Sequence, residues 1–182
     1  MFTVSSNTPA LYINAVTHNR LPVFRRDEFK DLFCCALAEA QKSAGFFIFG
    51  YVVMPDHYHM LTDNALMASE VLRFSNGISA RRVIDYLKEK QLTSSLAQLR
   101  HMERARGYRH SLWQHHPDVR LIYTEQALRS RLEYIHANPV RAGLVEQADQ
   151  YLWSSVRYWK GRPCEKEPII VACDQVHWRR RR

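Results

Sequence analysis

The chain has 182 residues, 46% hydrophobic and 12% aromatic, which suffices for one packed domain with some peripheral structure. Lys and Arg outnumber Asp and Glu by 26 to 18, and the resulting net charge of +8 favours a polyanionic partner, most simply nucleic acid. No segment reaches the ~18 apolar residues of a membrane span, the N-terminus lacks the charged start and apolar core of a secretion signal, and the four cysteines show no CxxC spacing. These features argue against a membrane, secreted or zinc-knuckle protein and lead to the expectation of a cytoplasmic protein with reduced core thiols at Cys34, Cys35, Cys164 and Cys173.

Leu11 to His18 is short and rich in β-formers, and reads as a first strand. A basic turn from Asn19 to Arg26 follows. Asp27 is a candidate N-cap for a helix over Glu28 to Ala44, and Gly45 can end it. Its apolar residues Phe29, Leu32, Phe33, Ala36, Leu37 and Ala40 recur at helical spacing and mark a core face. Phe46 to Met54 is a continuous apolar run, expected to be a strand buried on both faces and broken by Pro55-Asp56.

His57 to Thr62 alternates like a second strand of that hairpin. Side chains on a strand have a period of two, so His57, His59 and Leu61 leave one face, Tyr58 and Met60 the other. Two imidazoles ~7 Å apart on a rigid strand can share one divalent cation.

A long helix is expected from Ala68 or Ser69 to about Lys90, with a local irregularity at Asn76-Gly77. Leu92 to Met102 can extend a helix. Arg100, Arg104, Arg106 and Arg109, with His101 and His110, make a basic stretch interleaved with Tyr108 and Trp113. That mixture suits phosphate contacts combined with base stacking. Asp118 to Tyr123 reads as a further strand.

Thr124 can cap a helix over Glu125 to Ala137, closed soon afterwards by Pro139. Leu128, Leu132 and Ile135 form its apolar face. Arg131, Tyr134 and Asn138 fall at i, i+3 and i+7 along a neighbouring stripe, while His136 faces away from Tyr134. Domain boundaries are expected at 1–160, with a basic tail over 161–182 that ends in four arginines. There is no Gly-rich phosphate loop, so an ATP-driven mechanism is not indicated.

Three pieces carry a resemblance: YVVMPDHYHML at 51–61, SLWQ at 111–114, and LEYIHANPVRAGLV at 132–145 followed by YLWSSVRYW at 151–159. AVTHNRLPVF at 15–24 adds to it. On these the chain resembles the tyrosine (Y1) transposases of the IS200-like class, nearest their REP-associated tyrosine transposase branch, over about residues 10 to 160. The 51–61 segment corresponds to the family's HUH motif (His, hydrophobic, His).

The resemblance implies an α+β fold, a ferredoxin-like or RRM-like sandwich whose antiparallel sheet carries helices on one face. It implies cleavage and joining of single-stranded DNA, at REP-type hairpin repeats, through a 5′-phosphotyrosine and with Mg2+ or Mn2+. Tyr134 falls on the nucleophile, and His57 and His59 on the metal-binding histidines. Asn138 falls on a polar third ligand, for which Asp56 is the alternative. Arg131 is a candidate stabiliser of phosphate or phenolate. Arg104, Arg106, Arg109, Trp113 and Arg141 are candidate nucleic-acid contacts.

The chain departs from the family at Asp56, where Asn is common, and at His115-His116-Pro117-Asp118, where relatives carry an aromatic and acidic stretch. The enzyme is expected as a monomer or homodimer. The alternative is a catalytically retired, RRM-like regulator that binds DNA or RNA.

Overall fold

The computed structural model describes residues 1–100 and 110–178. Strand β1 (Ala10–Val16) sends Leu11, Ile13 and Ala15 into one apolar cluster and Ala10 and Tyr12 into another on the opposite face. Helix α1 (Asp27–Ala44), strands β2 (Ile48–Val53) and β3 (His57–Thr62), helix α2 (Ala68–Glu89), the short α3 (Thr93–Gln98) and strand β4 (Asp118–Ile122) follow. The sheet order is β2-β3-β1-β4, and every pairing is antiparallel. A β-α-β-β-α-β chain with β1 and β3 in the middle is the expected ferredoxin-like α+β arrangement.

The two crossover helices pack together over one face, as their apolar stripes require. Phe29, Phe33, Leu37, Val71, Val83 and Leu87 meet Ile13, Tyr51, Tyr58 and Met60 there. Helix α4 (Glu125–Arg141) lies across the other face, where Leu128, Leu132 and Ile135 pack against Tyr12, Phe49, Val52 and Leu61. Its approach depends on Gly50, which sits at a register shift in β2. A Cβ there would come within 2.5 Å of the Leu132 side chain and 3.2 Å of Ile135.

A returning segment closes the outer edge of β2. The Val53 N–H donates to the Trp153 carbonyl, and the Ser155 N–H donates to the Tyr51 carbonyl. Arg157, in the short helix α5 (Val156–Trp159), fixes this segment by donating to the carbonyls of Asp149, Tyr151 and Leu152 and pairing with Glu167 at 2.5 and 2.9 Å. Past residue 160 the chain still contributes to the core through Ile169, Val171 and Val176, and Val176 bridges to Phe2.

Several elements differ from the sequence expectation. Asp27 is not the N-cap of α1 but its first helical residue, bonded to Lys30 at 2.7 Å, while Gly45 closes the helix in the left-handed region at φ 76°. Helix α2 runs unbroken through Asn76-Gly77, and the Asn76 side chain accepts from the Tyr58 hydroxyl at 2.7 Å. Gln91, at φ 52°, separates α2 from α3.

Pro139 does not close α4, which continues to Arg141. Proline cannot donate to the carbonyl four residues back. The Asn138 amide takes that place, donating to the Ile135 carbonyl at 3.4 Å and the Tyr134 carbonyl at 2.8 Å. Of the cysteines only Cys34 is a buried core thiol; Cys35 and Cys164 are exposed and Cys173 is half-buried.

Candidate functional site

Strand alternation in β3 places His57 and His59 on the α4 face, with ring centroids 4.8 Å apart. Each imidazole is held through its Nδ1 atom. Asp56 Oδ1 lies 2.6 Å from His57 Nδ1, and the other carboxylate oxygen accepts from Arg20 at 3.0 Å. On the neighbouring strand the Tyr12 hydroxyl lies 2.9 Å from His59 Nδ1, with the two rings stacked.

The opposite nitrogen, His59 Nε2, is buried and has no hydrogen-bond partner among the described residues. Asn14 is the direct cross-strand neighbour of His59, and its Oδ1 is likewise buried and without a partner. Unpaired buried polar atoms cost about 1–3 kcal/mol each. Two of them side by side on one face mark a place suited to a ligand that satisfies both.

The electrostatics favour neutral imidazole there. Burial drives the His59 pKa down to about 3, aided by the nearby charges of His57 and Arg131. Burial likewise drives Tyr12 up to about 12, so its hydroxyl keeps its proton at neutral pH. Burial acts to raise the Asp56 carboxyl, but the hydrogen bonds and charges of His57 and Arg20 prevail and hold it below its ordinary value.

Helix α4 brings Tyr134 to this cluster, its ring centroid 5.6 Å from that of His59. Tyr134 is 38% exposed, enough to meet a substrate from solvent. Two guanidinium groups flank it. Arg131 lies 4.4 Å over the Tyr12 ring and 5.4 Å from the Tyr134 ring, and Arg141 lies 5.4 Å from Tyr134 on the same helix. The site therefore joins two imidazoles, a partly exposed phenol, two cations and the amide of Asn14. Among the described residues no group of three or more His, Cys, Asp or Glu could hold a metal ion.

A known structure shares this scaffold. The structure described as a REP-associated tyrosine transposase bound to a REP hairpin superposes with a TM-score of 0.57, at 18% identity over 85% of this chain and 80% of that one. The chain has the fold of a REP-associated tyrosine transposase. A candidate transposase from Deinococcus radiodurans superposes with a TM-score of 0.47, at 22% identity over 70% of this chain and 88% of that one. No protein-family model and no curated protein matches the chain.

On this transposase fold the residues singled out in the sequence separate into three groups. His57, His59, Tyr134 and Arg131 form a continuous chain of ring and cation contacts in that order, Arg141 joins at Tyr134 from the end of α4, and Asn138 lies one turn from Tyr134. Trp113 is a correction. It is 6% exposed, packs against Phe24, Phe33 and Tyr58, and donates to the Ser79 hydroxyl at 3.1 Å, so it is a core residue and offers no face for base stacking. Arg104, Arg106 and Arg109 lie outside the described residues.

His136 faces away from Tyr134, as expected, and meets the Ser155 hydroxyl at 2.8 Å in the core. The residues that sequence reasoning missed are Tyr12, Asn14 and Arg20. Tyr12 and Asn14 belong to the site through strand register and Arg20 through a turn contact. Only the alternation of β1, with Tyr12 and Asn14 two apart, hinted at the first two. No helix of the described residues is long and apolar enough to cross a membrane.

Proposed function

We propose that the chain is a Y1 transposase that cleaves and rejoins single-stranded DNA at hairpin-forming repeats of the REP type, with a divalent ion, Mg2+ or Mn2+. The observation that carries this reading is the contact of Tyr134 with His59, whose buried Nε2 has no partner among the described residues. The fold and the family motifs of the sequence support the same reading.

In this reading His57, His59 and Asn138 hold the ion, with Asn138 offering Oδ1 while its amide nitrogen stays on the helix carbonyls. The ion, when bound, neutralises and orients the scissile phosphate. The Tyr134 oxygen attacks phosphorus, the bond to the 3′ oxygen breaks, and that oxygen takes up the proton the phenol gives up. The products are a 5′-phosphotyrosine and a 3′-hydroxyl. The ester linkage is conserved, so the reverse attack by a 3′-hydroxyl rejoins DNA without ATP. Arg131 and Arg141 stabilise the charge that develops on the phenolate and phosphate.

The test uses a hairpin-bearing single-stranded oligonucleotide with Mn2+. A denaturation-resistant protein–DNA adduct is expected, absent in Tyr134→Phe, His57→Ala and EDTA-treated samples. Tight binding with no cleavage under any metal would replace this reading with that of a DNA-binding regulator.

A further inference from the structure

Two side chains outside the proposed nucleophile and ligand set act on equivalent atoms of the two histidines. Asp56 meets Nδ1 of His57, and Tyr12 meets Nδ1 of His59. A carboxylate can only accept, so neutral His57 carries its hydrogen on Nδ1 and a lone pair on Nε2. For His59 the hydroxyl of Tyr12 can give or accept. Burial decides between these. A hydrogen on Nε2 would be a buried donor with no acceptor within hydrogen-bond distance among the described residues, whereas a lone pair there can be satisfied by a cation.

We propose that Tyr12 and Asp56 are positioning residues that hold His59 and His57 in the Nδ1–H form, with both Nε2 lone pairs presented to one divalent cation. The inference rests on the metal-dependent reading above.

Both positioning groups are themselves rigidly placed. Tyr12 is 2% exposed in a central strand, under the Arg131 guanidinium. Asp56 is fixed by Arg20 at 3.0 Å, and its backbone carbonyl accepts from both the N–H and the hydroxyl of Thr17. Both Asp56 carboxylate oxygens are thereby engaged, one on His57 and one on Arg20. Asp56 is thus the group that orients a ligand, in place of the alternative third ligand. Such hydrogen bonds fix the ring orientation and raise ligand basicity, and losing one typically weakens metal affinity about 10–100-fold.

The test measures Mn2+ affinity of the full-length protein by electron paramagnetic resonance titration, with no DNA present. Tyr12→Phe and Asp56→Ala are each expected to weaken binding about 10–100-fold. Their melting temperatures in EDTA are expected to stay within a few degrees of the parent. Asp56→Asn keeps an acceptor oxygen and is expected to recover part of the loss. Long-range 1H–15N spectra of the metal-free protein are expected to show the Nδ1–H form at both histidines, lost at His59 alone in Tyr12→Phe.

Unchanged Mn2+ affinity in Tyr12→Phe and Asp56→Ala, with His59→Ala still weakening it, would overturn the positioning role and leave the metal reading standing. So would Nε2–H forms at both histidines. Unchanged affinity in His59→Ala would overturn the metal reading and the positioning role with it. If Tyr12→Phe does not fold, Asp56→Ala and the spectra of the parent protein still decide the matter.

Discussion

Tyr134 sits between an imidazole with an unsatisfied nitrogen and two guanidinium groups, and each neighbour bears on what its oxygen can do. Arg131 lies over both the Tyr12 and Tyr134 rings, so removing it strips a charge from the proposed nucleophile and a cover from the Tyr12 hydroxyl. Arg131→Ala is expected to slow adduct formation about 100-fold at saturating DNA, with Arg131→Lys partly restoring it, read from single-turnover gels. Trp113 makes the opposite kind of prediction. As a core residue it is expected to cost about 3–5 kcal/mol of stability when replaced by Ala, measured by urea unfolding. A variant that unfolded normally but bound DNA weakly would return Trp113 to the DNA-binding surface.

These two residues also show what the sequence could and could not reveal. His57 and His59 were legible because strand alternation alone puts them on one face. The helix stripe that brings Tyr134 to His59 was legible from helical spacing combined with the family motif. Tyr12, Asn14 and Arg20 were not, since their place follows from the register of β1 against β3 and from a turn contact across 36 residues. Trp113 misled because arginines surround it in sequence, while in the fold its own segment pairs with the end of β1 and turns the ring inward.

At the scale of elements, the decisive relation is the seat of α4 on the sheet. Sequence periodicity identified α4 and its apolar face. It could not say that the helix continues through Pro139, because that depends on the Asn138 amide bonding the carbonyl that proline leaves unpaired. Nor could it show that Gly50 makes room for Leu132. Gly50→Val places methyl groups where Leu132 and Ile135 already lie. The expected result is a loss of about 1–3 kcal/mol in stability from overpacking. Adduct yield is also expected to fall although every reacting residue is intact, because Tyr134 shifts away from His59. Urea unfolding and the adduct gel, run on the same variant, check both halves. The buried bond from His136 to Ser155 is a second tie on the same helix, fastening it to the segment that closes the edge of β2.

For the whole molecule, the Arg157–Glu167 pair fixes the returning segment on the outer edge of the sheet. The Arg157 guanidinium holds the segment that covers β2, and Glu167 tethers the chain beyond α5. Burial alone would raise the Glu167 carboxyl, but Arg157 and the Cys164 N–H outweigh it and keep it below its ordinary value. A carboxyl depressed in the folded state contributes stability that is complete above its unfolded value, near ~4.3. The contribution is lost as pH falls from there through the folded value. Between about pH 5 and 3 the parent protein is therefore expected to lose more stability than Glu167→Gln, by urea midpoints at each pH. Arg157→Ala leaves a carboxylate buried without its partner and is expected to cost about 3–5 kcal/mol at neutral pH. A parent and a Glu167→Gln protein with parallel acid profiles would contradict the assigned role of the pair.

The proposed reaction creates one diagnostic bond, between the Tyr134 oxygen and a 5′ phosphate. Mass spectrometry of a nuclease- and protease-digested adduct, formed with Mn2+ on a hairpin-bearing single strand, reads that bond directly. The expected result is a nucleotide 5′-phosphate on the peptide containing Tyr134 and a free 3′-hydroxyl on the released strand. A phosphate carried by any other residue, or a strand released with a 3′-phosphate, would contradict it.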